Sequence, residues 1–176
     1  LDSVAGLRND QILRWLDAGR SAMRAPLSGA NDEHIIAVLT DQAATPDELA
    51  MATAILTDAT KASSFGRMFV YTPDGRIVAS SDPNDVGKTV AGQPYHIVSR
   101  YADYIQAPYV EAATGKLATY VTHPLRANGI VARGILAAEL DVRTLIDIMT
   151  ERTGLGEFGE TYLVSAKNGQ RLTASG

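Results

Sequence analysis

Tyrosine is the residue type most concentrated where it can do binding chemistry. Five of the seven tyrosines lie close together in the chain: Tyr95, Tyr101, Tyr104, Tyr109 and Tyr120. A phenol ring has an apolar face and a polar tip, so several rings that converge on a cavity make a good cage for a small polar ligand. The same residues also fit amphipathic packing at a sheet edge, and both interpretations remain open from the sequence.

Asp141 is the second candidate, because it follows an apolar run from Gly134 to Leu140 that only Glu139 interrupts. A carboxylate there can hold a cationic group, and aromatic faces add a cation–π attraction of about 0.5–2 kcal/mol. The alternative is an N-cap for a helix that begins at Val142, a position where aspartate is favoured over alanine by about 1 kcal/mol. The two roles are compatible.

The sequence contains no recognisable catalytic or metal-binding pattern. There is no cysteine, which excludes a disulfide scaffold, a thiolate metal site and a cysteine nucleophile. The histidines lack metal-ligand spacing: His34, His96 and His123. Residues 154–159 match G-x-G-x-x-G, but they follow a predicted helix and precede a strand, the reverse of the dinucleotide-binding order. We therefore predict no enzyme activity, no metal and no cofactor.

Composition argues against nucleic acid as a partner. The formal net charge is −4, and the basic residues are scattered rather than massed in a patch. No run approaches the roughly 18 apolar residues that span a bilayer, and no signal segment opens the chain. The sequence begins in mid-pattern and stops after an apparent strand, which we interpret as a piece of something longer.

The elements that position these residues begin with helices over the first 62 or so residues. An apolar stripe at helical spacing is formed by Ile12, Leu16, Gly19 and Met23. Pro26 ends or kinks this helix.

Two shorter helices follow. Asn31-Asp32 can cap the first of them, which runs through Leu39. Thr45, Pro46 and Glu48 form a capping box for the next.

Strands dominate after residue 65. Asp74-Gly75 lies between two β-prone runs and is a strong hairpin signal. The predicted strands are Met68 to Tyr71, Arg76 to Ser80, Ile105 to Val110, Leu117 to Leu125 and Gly129 to Leu140, with short helices at Tyr95 to Tyr104 and Val142 to Thr150. Helices followed by five strands predict an α+β domain around an antiparallel sheet, with the strand order left open.

A faint internal repeat suggests a second module. Placing Asp74-Gly75 over Asn168-Gly169 also aligns Phe69-Val70 with Leu163-Val164. Two unrelated hairpins also produce such a match, so a true repeat and a chance one both remain open.

Several segments, taken in order, resemble the Cache family, and in particular its double-Cache sensor regions. They are MFVYTPDGRIVASSDPNDVGKTV, QPYHIV, YIQAPYVEAATGKLATYVTHPL, GIVARGILAAELDV and TGLGEFGETYLV. The resemblance covers residues 67 to about 164. It implies a PAS-like antiparallel sheet that carries a ligand pocket, with a leading helix that continues from a membrane span.

The resemblance also divides the chain. Residues 1–153 correspond to the membrane-distal Cache module with its N-terminal helices. Residues 154–176 correspond to a connector and the first hairpin of a second, incomplete module.

Some members of that family recognise amino acids through a tyrosine, arginine, tryptophan and aspartate signature. Tyr95, Tyr109 and Asp141 match its tyrosine and aspartate positions. Gly92 and Pro94 occupy the arginine and tryptophan positions. Arginine supplies the bidentate grip on a carboxylate, so its absence weakens the amino-acid interpretation, although Arg100 is a candidate substitute.

Together these observations predict the periplasmic or extracellular sensing domain of a membrane-anchored bacterial receptor, such as a chemoreceptor or histidine kinase. It would bind a small polar metabolite (an amino acid, amine or organic acid), and the resemblance also implies a homodimer. The predicted ligand-binding residues are Tyr71, Tyr95, Arg100, Tyr109, Tyr120 and Asp141. The alternative is a cytoplasmic PAS-like module for cofactor binding or dimerisation.

Overall fold

The computed structural model describes residues 2–39, 44–126, 131–151, 162–165, 169, 171 and 172. Within these residues, the helices longer than one turn are α1 (Asp2–Ala22), α2 (Asn31–Ala37), α3 (Pro46–Lys61) and α4 (Val142–Thr150). The strands of the same part of the chain are β1 (Phe65–Tyr71), β2 (Ile77–Ser80), β3 (Tyr104–Val110), β4 (Leu117–Leu125) and β5 (Gly134–Leu140). Among the described residues, no helix is long and apolar enough to cross a membrane.

Of the caps predicted for α2 and α3, one is present in the structure and the other is not. The capping box predicted for α3 is present, because the Glu48 amide donates to Thr45 Oγ1 and the Thr45 amide donates back to Glu48. The predicted cap of α2 is wrong. Its N-cap is Ala30, and no side chain caps it.

The strands form one antiparallel sheet in the order β2-β1-β5-β4-β3. The predicted α+β class is therefore confirmed, with helices in front of a five-stranded sheet. Strand β5 inserts between β1 and β4, a long-range pairing that no local sequence pattern encodes.

The two faces of the sheet are covered differently. Helices α1 to α3 pack on one face, where the core contains Met68, Val70, Leu136 and Leu140. The opposite face carries Phe69, Tyr71, Tyr120, Ile135 and Ala137, and packs against Val90 and Tyr95 from the β2–β3 connection. Side chains alternate between the faces, so each strand contributes to both layers.

The β2–β3 connection runs back beside β2 before it crosses the sheet face that carries Tyr71 and Tyr120. The Ile77 amide donates to Lys88 O at 2.9 Å, and the Val90 amide donates to Gly75 O at 2.8 Å. The helix predicted from Tyr95 to Tyr104 is wrong, because this stretch holds only a 3-10 turn at Val98–Arg100. Its apolar residues do not share one buried face, since Ile97 is 63% exposed, so packing cannot stabilise a longer helix.

Two further sequence predictions fall partly outside the described residues. Strand β5 begins at Gly134, so the predicted start at Gly129 is too early: residues 131–133 lie outside the strand, and residues 129 and 130 are not described. Near the C-terminus, Val164 forms an antiparallel bridge with Arg171 and Gly169 has a positive φ of 68°. This fits the predicted second hairpin, although Asn168 lies outside the described residues. The division at residue 153 stays a prediction.

The β1–β2 turn fixes where the returning chain lies. Gly75 adopts a φ of 98°, and its amide donates to Thr72 O at 2.8 Å. A Cβ atom there would lie 2.9 Å from the Ala91 backbone nitrogen. Glycine is therefore required both by the left-handed conformation and by the close approach of the returning chain.

We expect Gly75→Ala to lower the free energy of unfolding by about 2–3 kcal/mol. Gly115→Ala is the matched control, because Gly115 also has a positive φ of 66° but has no atom within 4 Å of the added Cβ. It should cost only about 1 kcal/mol. Urea unfolding of both variants measures the difference, and equal losses would show that the Ala91 contact does not constrain the turn.

Candidate functional site

The register of three strands places a row of polar side chains on the loop-covered face. Arg67 of β1 pairs with Glu139 of β5, and Glu139 pairs with Tyr120 of β4. The three side chains are therefore neighbours across the sheet, although they are far apart in the sequence.

Arg67 connects this row to the β2–β3 connection. Its Nε donates to Glu139 at 2.5 Å, one Nη donates to Asp85 at 2.8 Å, and the other donates to the Tyr120 hydroxyl oxygen at 2.8 Å. Lys88 Nζ donates to the second oxygen of Asp85 at 3.0 Å. We call these five residues the Arg67 network. A guanidinium has five N–H donors, so two remain for another acceptor.

The Asp85 carboxylate is the buried end of the network, since only 3% of the residue is exposed. Its burial acts to raise the pKa, but the hydrogen bonds from Lys88 and Arg67 outweigh that effect and hold the pKa of Asp85 below its usual range. Arg67 and Glu139 are more accessible, with side chains 29% and 28% exposed.

An aromatic cluster lies beside the network. It consists of Phe69, Tyr71, Tyr95, Tyr109 and Tyr120. The rings of Tyr95 and Tyr120 are 4.6 Å apart between centroids, Tyr71 and Tyr95 are 6.3 Å apart, and Tyr109 and Tyr120 are 6.4 Å apart. The four tyrosines differ in solvent exposure. Tyr109 is half-buried, whereas Tyr71, Tyr95 and Tyr120 are buried.

Burial sets the acidity of these phenols. It raises the pKa of Tyr71 to about 12, against smaller opposing effects of Ser99 and Arg100. Burial likewise raises the pKa of Tyr95, Tyr109 and Tyr120. All four phenols are therefore neutral hydrogen-bonding groups at physiological pH.

A second set of polar groups forms the rim next to Tyr109. The Tyr109 hydroxyl donates to Gln93 at 2.7 Å, and the Gln93 amide donates to Glu111 at 3.3 Å. After burial, the carboxylates of Glu111 and Glu139 are the largest causes of the raised pKa of Tyr109. The Tyr109 hydroxyl thus lies within electrostatic reach of two carboxylates, Glu139 of β5 and Glu111, which follows the end of β3.

The structure brings four of the predicted site residues together and leaves other tyrosines out. Tyr71, Tyr95, Tyr109 and Tyr120 form the cluster described above. Tyr104 packs at its margin. Tyr101 is 74% exposed and does not join it.

Arg100 lies at the Tyr71 end of the cluster. Its charge acts on the Tyr71 hydroxyl, and its Nη2 is 3.3 Å from Nε2 of His96. The His96 ring is 6.0 Å from the Tyr71 ring.

Asp141 is not brought to the tyrosines. It is the N-cap of α4, where its carboxylate accepts from the Arg143 amide at 3.0 Å and pairs with the Arg143 guanidinium at 2.6 Å. The hydrogen bonds from Arg143 lower the pKa of Asp141. The geometry supports the capping role and gives no support to a role in the cluster.

The carboxylate that does reach the cluster is Glu139, which the sequence analysis did not select. The signal was present, since Glu139 is the one charged residue inside the apolar run of β5. Arg67 was also missed, although it lies two positions before Phe69 and therefore on the same strand face. Asp85, Gln93 and Glu111 reach the site through loop geometry that local patterns do not encode.

No three acidic or histidine side chains in the described part of the chain are arranged to hold a metal ion. What the site offers is a floor of aromatic rings with carboxylates and a guanidinium at its edge. Such an arrangement can bind a small polar molecule by hydrogen bonds, ion pairs and aromatic contact.

Comparison with known proteins gives structural neighbours only. No protein-family model matches the sequence, and no curated protein matches it. The sensor domain of the histidine kinase DctB of V. cholerae superposes with a TM-score of 0.71 at 16% identity, over 86% of this chain and 58% of that domain. This chain therefore spans little more than half of the DctB sensor domain.

Two chemoreceptor domains are also similar. The ligand-binding domain of Pseudomonas fluorescens CtaA, solved with L-alanine, has a TM-score of 0.64 at 21% identity, over 98% of this chain and 69% of that one. The ligand-binding domain of Campylobacter jejuni Tlp3, solved with 4-methylisoleucine, has a TM-score of 0.66 at 12% identity, over 98% and 67%. With its leading helices and its five-stranded antiparallel sheet, the chain has the Cache-type fold of these receptor sensor domains.

Proposed function

We propose that this chain is an extracytoplasmic small-molecule-sensing domain of a bacterial transmembrane receptor. It binds a small polar metabolite and transmits a conformational change to a cytoplasmic output domain. The observation that carries the proposal is the aromatic cluster with Glu139 and Arg67 at its edge, on the sheet face that a loop rather than a helix covers. The neighbours support it, because the domains of CtaA and Tlp3 were solved with amino acids or a close derivative.

The charges at the site favour a ligand that carries an amine. At the Glu139 end of the site, two cations (Arg67 and Lys88) and three carboxylates (Asp85, Glu111 and Glu139) leave one net negative charge. The third cation, Arg100, lies at the opposite end of the cluster. The accessible carboxylate of Glu139 and the Tyr109 hydroxyl lie beside aromatic faces, which attract an ammonium group.

We assign the remaining predicted residues to parts of this site. Tyr95 and Tyr120 supply the apolar floor. Tyr71 and Arg100 lie at the opposite end of the cluster. Glu139 takes the acidic role that the sequence analysis gave to Asp141, and the free N–H groups of Arg67 are available for a carboxylate of the ligand.

Strand β5 offers a route from this site to the leading helix. Glu139 precedes Leu140, whose side chain occupies the space in which a Cβ of Gly19 would lie on α1. Beyond it, Arg8 of α1 donates to Ile148 O at 2.6 Å at the end of α4. A ligand that shifts β5 would therefore act on both contacts of α1, and couplings of this kind are typically about 1–3 kcal/mol.

A metabolite panel of amines, amino acids and organic acids, measured by isothermal titration calorimetry, tests the site. We expect an amine-bearing compound to bind and Glu139→Gln to weaken it about 10- to 100-fold, since a charge-assisted hydrogen bond is lost. Asp141→Asn is the matched control. Asparagine also caps helices well, so this variant should keep wild-type affinity.

The reverse pattern would contradict the assignment. If Asp141→Asn abolishes binding and Glu139→Gln does not, the ligand lies at the start of α4. If Tyr109→Phe and Glu139→Gln both retain full affinity, the cluster is packing and the site lies elsewhere. Urea unfolding of each variant separates lost binding from lost fold.

The rings of the cluster also contact one another, so a ligand must part them or enter beside Tyr109. Tyr71, Tyr95 and Tyr120 are each at most 1% exposed. Ring contacts of this kind contribute about 0.5–1.5 kcal/mol each, which is small enough for a ligand to replace. Tyr109 is half-buried, so displacement of its side chain is the entry to the floor that we propose.

Closed packing of these phenols predicts a loss of stability at alkaline pH. The pKa of Tyr71 is raised to about 12 in the folded protein, while an unfolded tyrosine has a pKa of about 10. Its contribution is therefore complete below about pH 10 and is lost between about pH 10 and 12.

Tyr71→Phe should reduce the slope of unfolding free energy against pH in that range by up to about 1.4 kcal/mol per pH unit. The measurement is urea unfolding at a series of pH values. Tyr101→Phe, an exposed tyrosine outside the cluster, serves as the matched control. Parallel curves for Tyr71→Phe and wild type would mean that the Tyr71 phenol is not buried in the folded protein.

A further inference from the structure

Helix α4 has no local stop signal at its C-terminal end. The residue that follows the helix is Glu151, whose φ of −58° is not left-handed, so no glycine-type cap closes the helix. The last turn of α4 also contains no basic residue. The final carbonyl groups of a helix lack intrahelical donors and carry partial negative charge, so they need a donor from another part of the chain.

Arg8 of α1 supplies that donor. Its guanidinium donates to Ile148 O at 2.6 Å, to the Glu151 carboxylate at 2.7 Å and to the backbone oxygen of Glu151. Arg8 is only 4% exposed, although its partners lie 140 and 143 residues further along the chain. It therefore caps α4 from another helix and places a positive charge where the helix dipole favours one.

The start of α4 is held in a different way. Asp141 caps the first turn locally. Leu140, the residue before it, occupies the space in which a Cβ of Gly19 would lie on α1. Gly19 and Arg8 are about three helical turns apart, so α1 and α4 run antiparallel and meet at both ends. Packing and a local cap hold the start of α4, whereas Arg8 holds its end.

The contact that Arg8 makes carries a cost. Its Nε is buried and has no partner among the described residues. An unsatisfied buried donor on a charged group is unfavourable. A helix of nine residues is also marginal on its own, so it depends on its caps and its packing. A displacement of α1 that separates Arg8 from Ile148 would relieve the buried Nε and leave the last turn of α4 uncapped.

We propose that Arg8 is a latch between α1 and α4, so that the position of the leading helix decides whether the last turn of α4 is folded. With the latch closed, as in this structure, that turn is folded and moves with α1. With the latch open, that turn unfolds while the sheet and the start of α4 stay intact. For its role in signalling the latch rests on the proposed function, because a shift of β5 on ligand binding is what would move α1 against α4.

Backbone amide hydrogen exchange of the 176-residue chain, followed by NMR, tests the latch without any ligand. Arg8→Met keeps a long side chain and removes every donor. We expect the amides of Met149, Thr150 and Glu151 to exchange about 10-fold or more faster than in the wild type, while those of β5 stay equally protected. Replacing a buried charge by an apolar side chain is often neutral for the whole fold, so urea unfolding should change little.

Two further variants separate capping from packing. Arg14→Met changes an exposed arginine of the same helix and is the matched control, so last-turn exchange should stay at the wild-type rate. Arg8→Lys keeps the charge but loses the planar fork that reaches two carbonyl groups and a carboxylate together, so it should give an intermediate loss of protection. Met and Lys both retain an apolar stem, so a difference between them reports on the donors.

Last-turn amides that exchange in Arg8→Met as slowly as in the wild type would overturn the latch. So would an equal loss of protection over the whole chain, or the same loss in Arg14→Met. A confirmed latch in a chain that binds no compound of the metabolite panel would leave the latch standing and count against the sensing role. Binding of a panel compound by a chain whose last-turn exchange is unaffected by Arg8→Met would do the reverse.

Discussion

The site depends on one guanidinium that is shared by two carboxylates and a phenol. Arg67 of β1 bonds to Glu139 of β5, to Tyr120 of β4 and to Asp85 of the β2–β3 connection. One side chain thus joins three strands to the loop that covers them. Removing one partner of such a network is costly, because it leaves a charge in a partly buried place. The network therefore holds the strand register and the loop position together.

The same arrangement explains why the two sheet faces differ. Helices α1 to α3 close one face with an apolar core that stabilises the fold. The other face is closed by an irregular connection that is pinned at the Gly75 turn and at Asp85. Loops of this kind move at lower cost than packed helices, so the face that carries the proposed site is also the face that can open.

Much of the fold was predictable from local signals, whereas the site was predictable only in part. The capping box at Thr45 and the Asp74-Gly75 turn are encoded by adjacent residues, and both are present. The tyrosines were recognised by their density. The acidic residue next to the tyrosines could not be identified from the sequence, because Glu139 and Asp141 are both acidic and lie only two positions apart. Which of them faces the rings depends on where β5 ends and α4 begins.

The most direct test is a crystal structure of the chain with the tightest ligand found for it. The account predicts that the amine of the ligand contacts Glu139 and that the rings of Tyr95, Tyr109 and Tyr120 surround the ligand, with Tyr109 displaced from Gln93. A ligand bound elsewhere, such as in the groove of about 340 Å³ between Arg24 and His123, with the aromatic cluster unchanged, would contradict it.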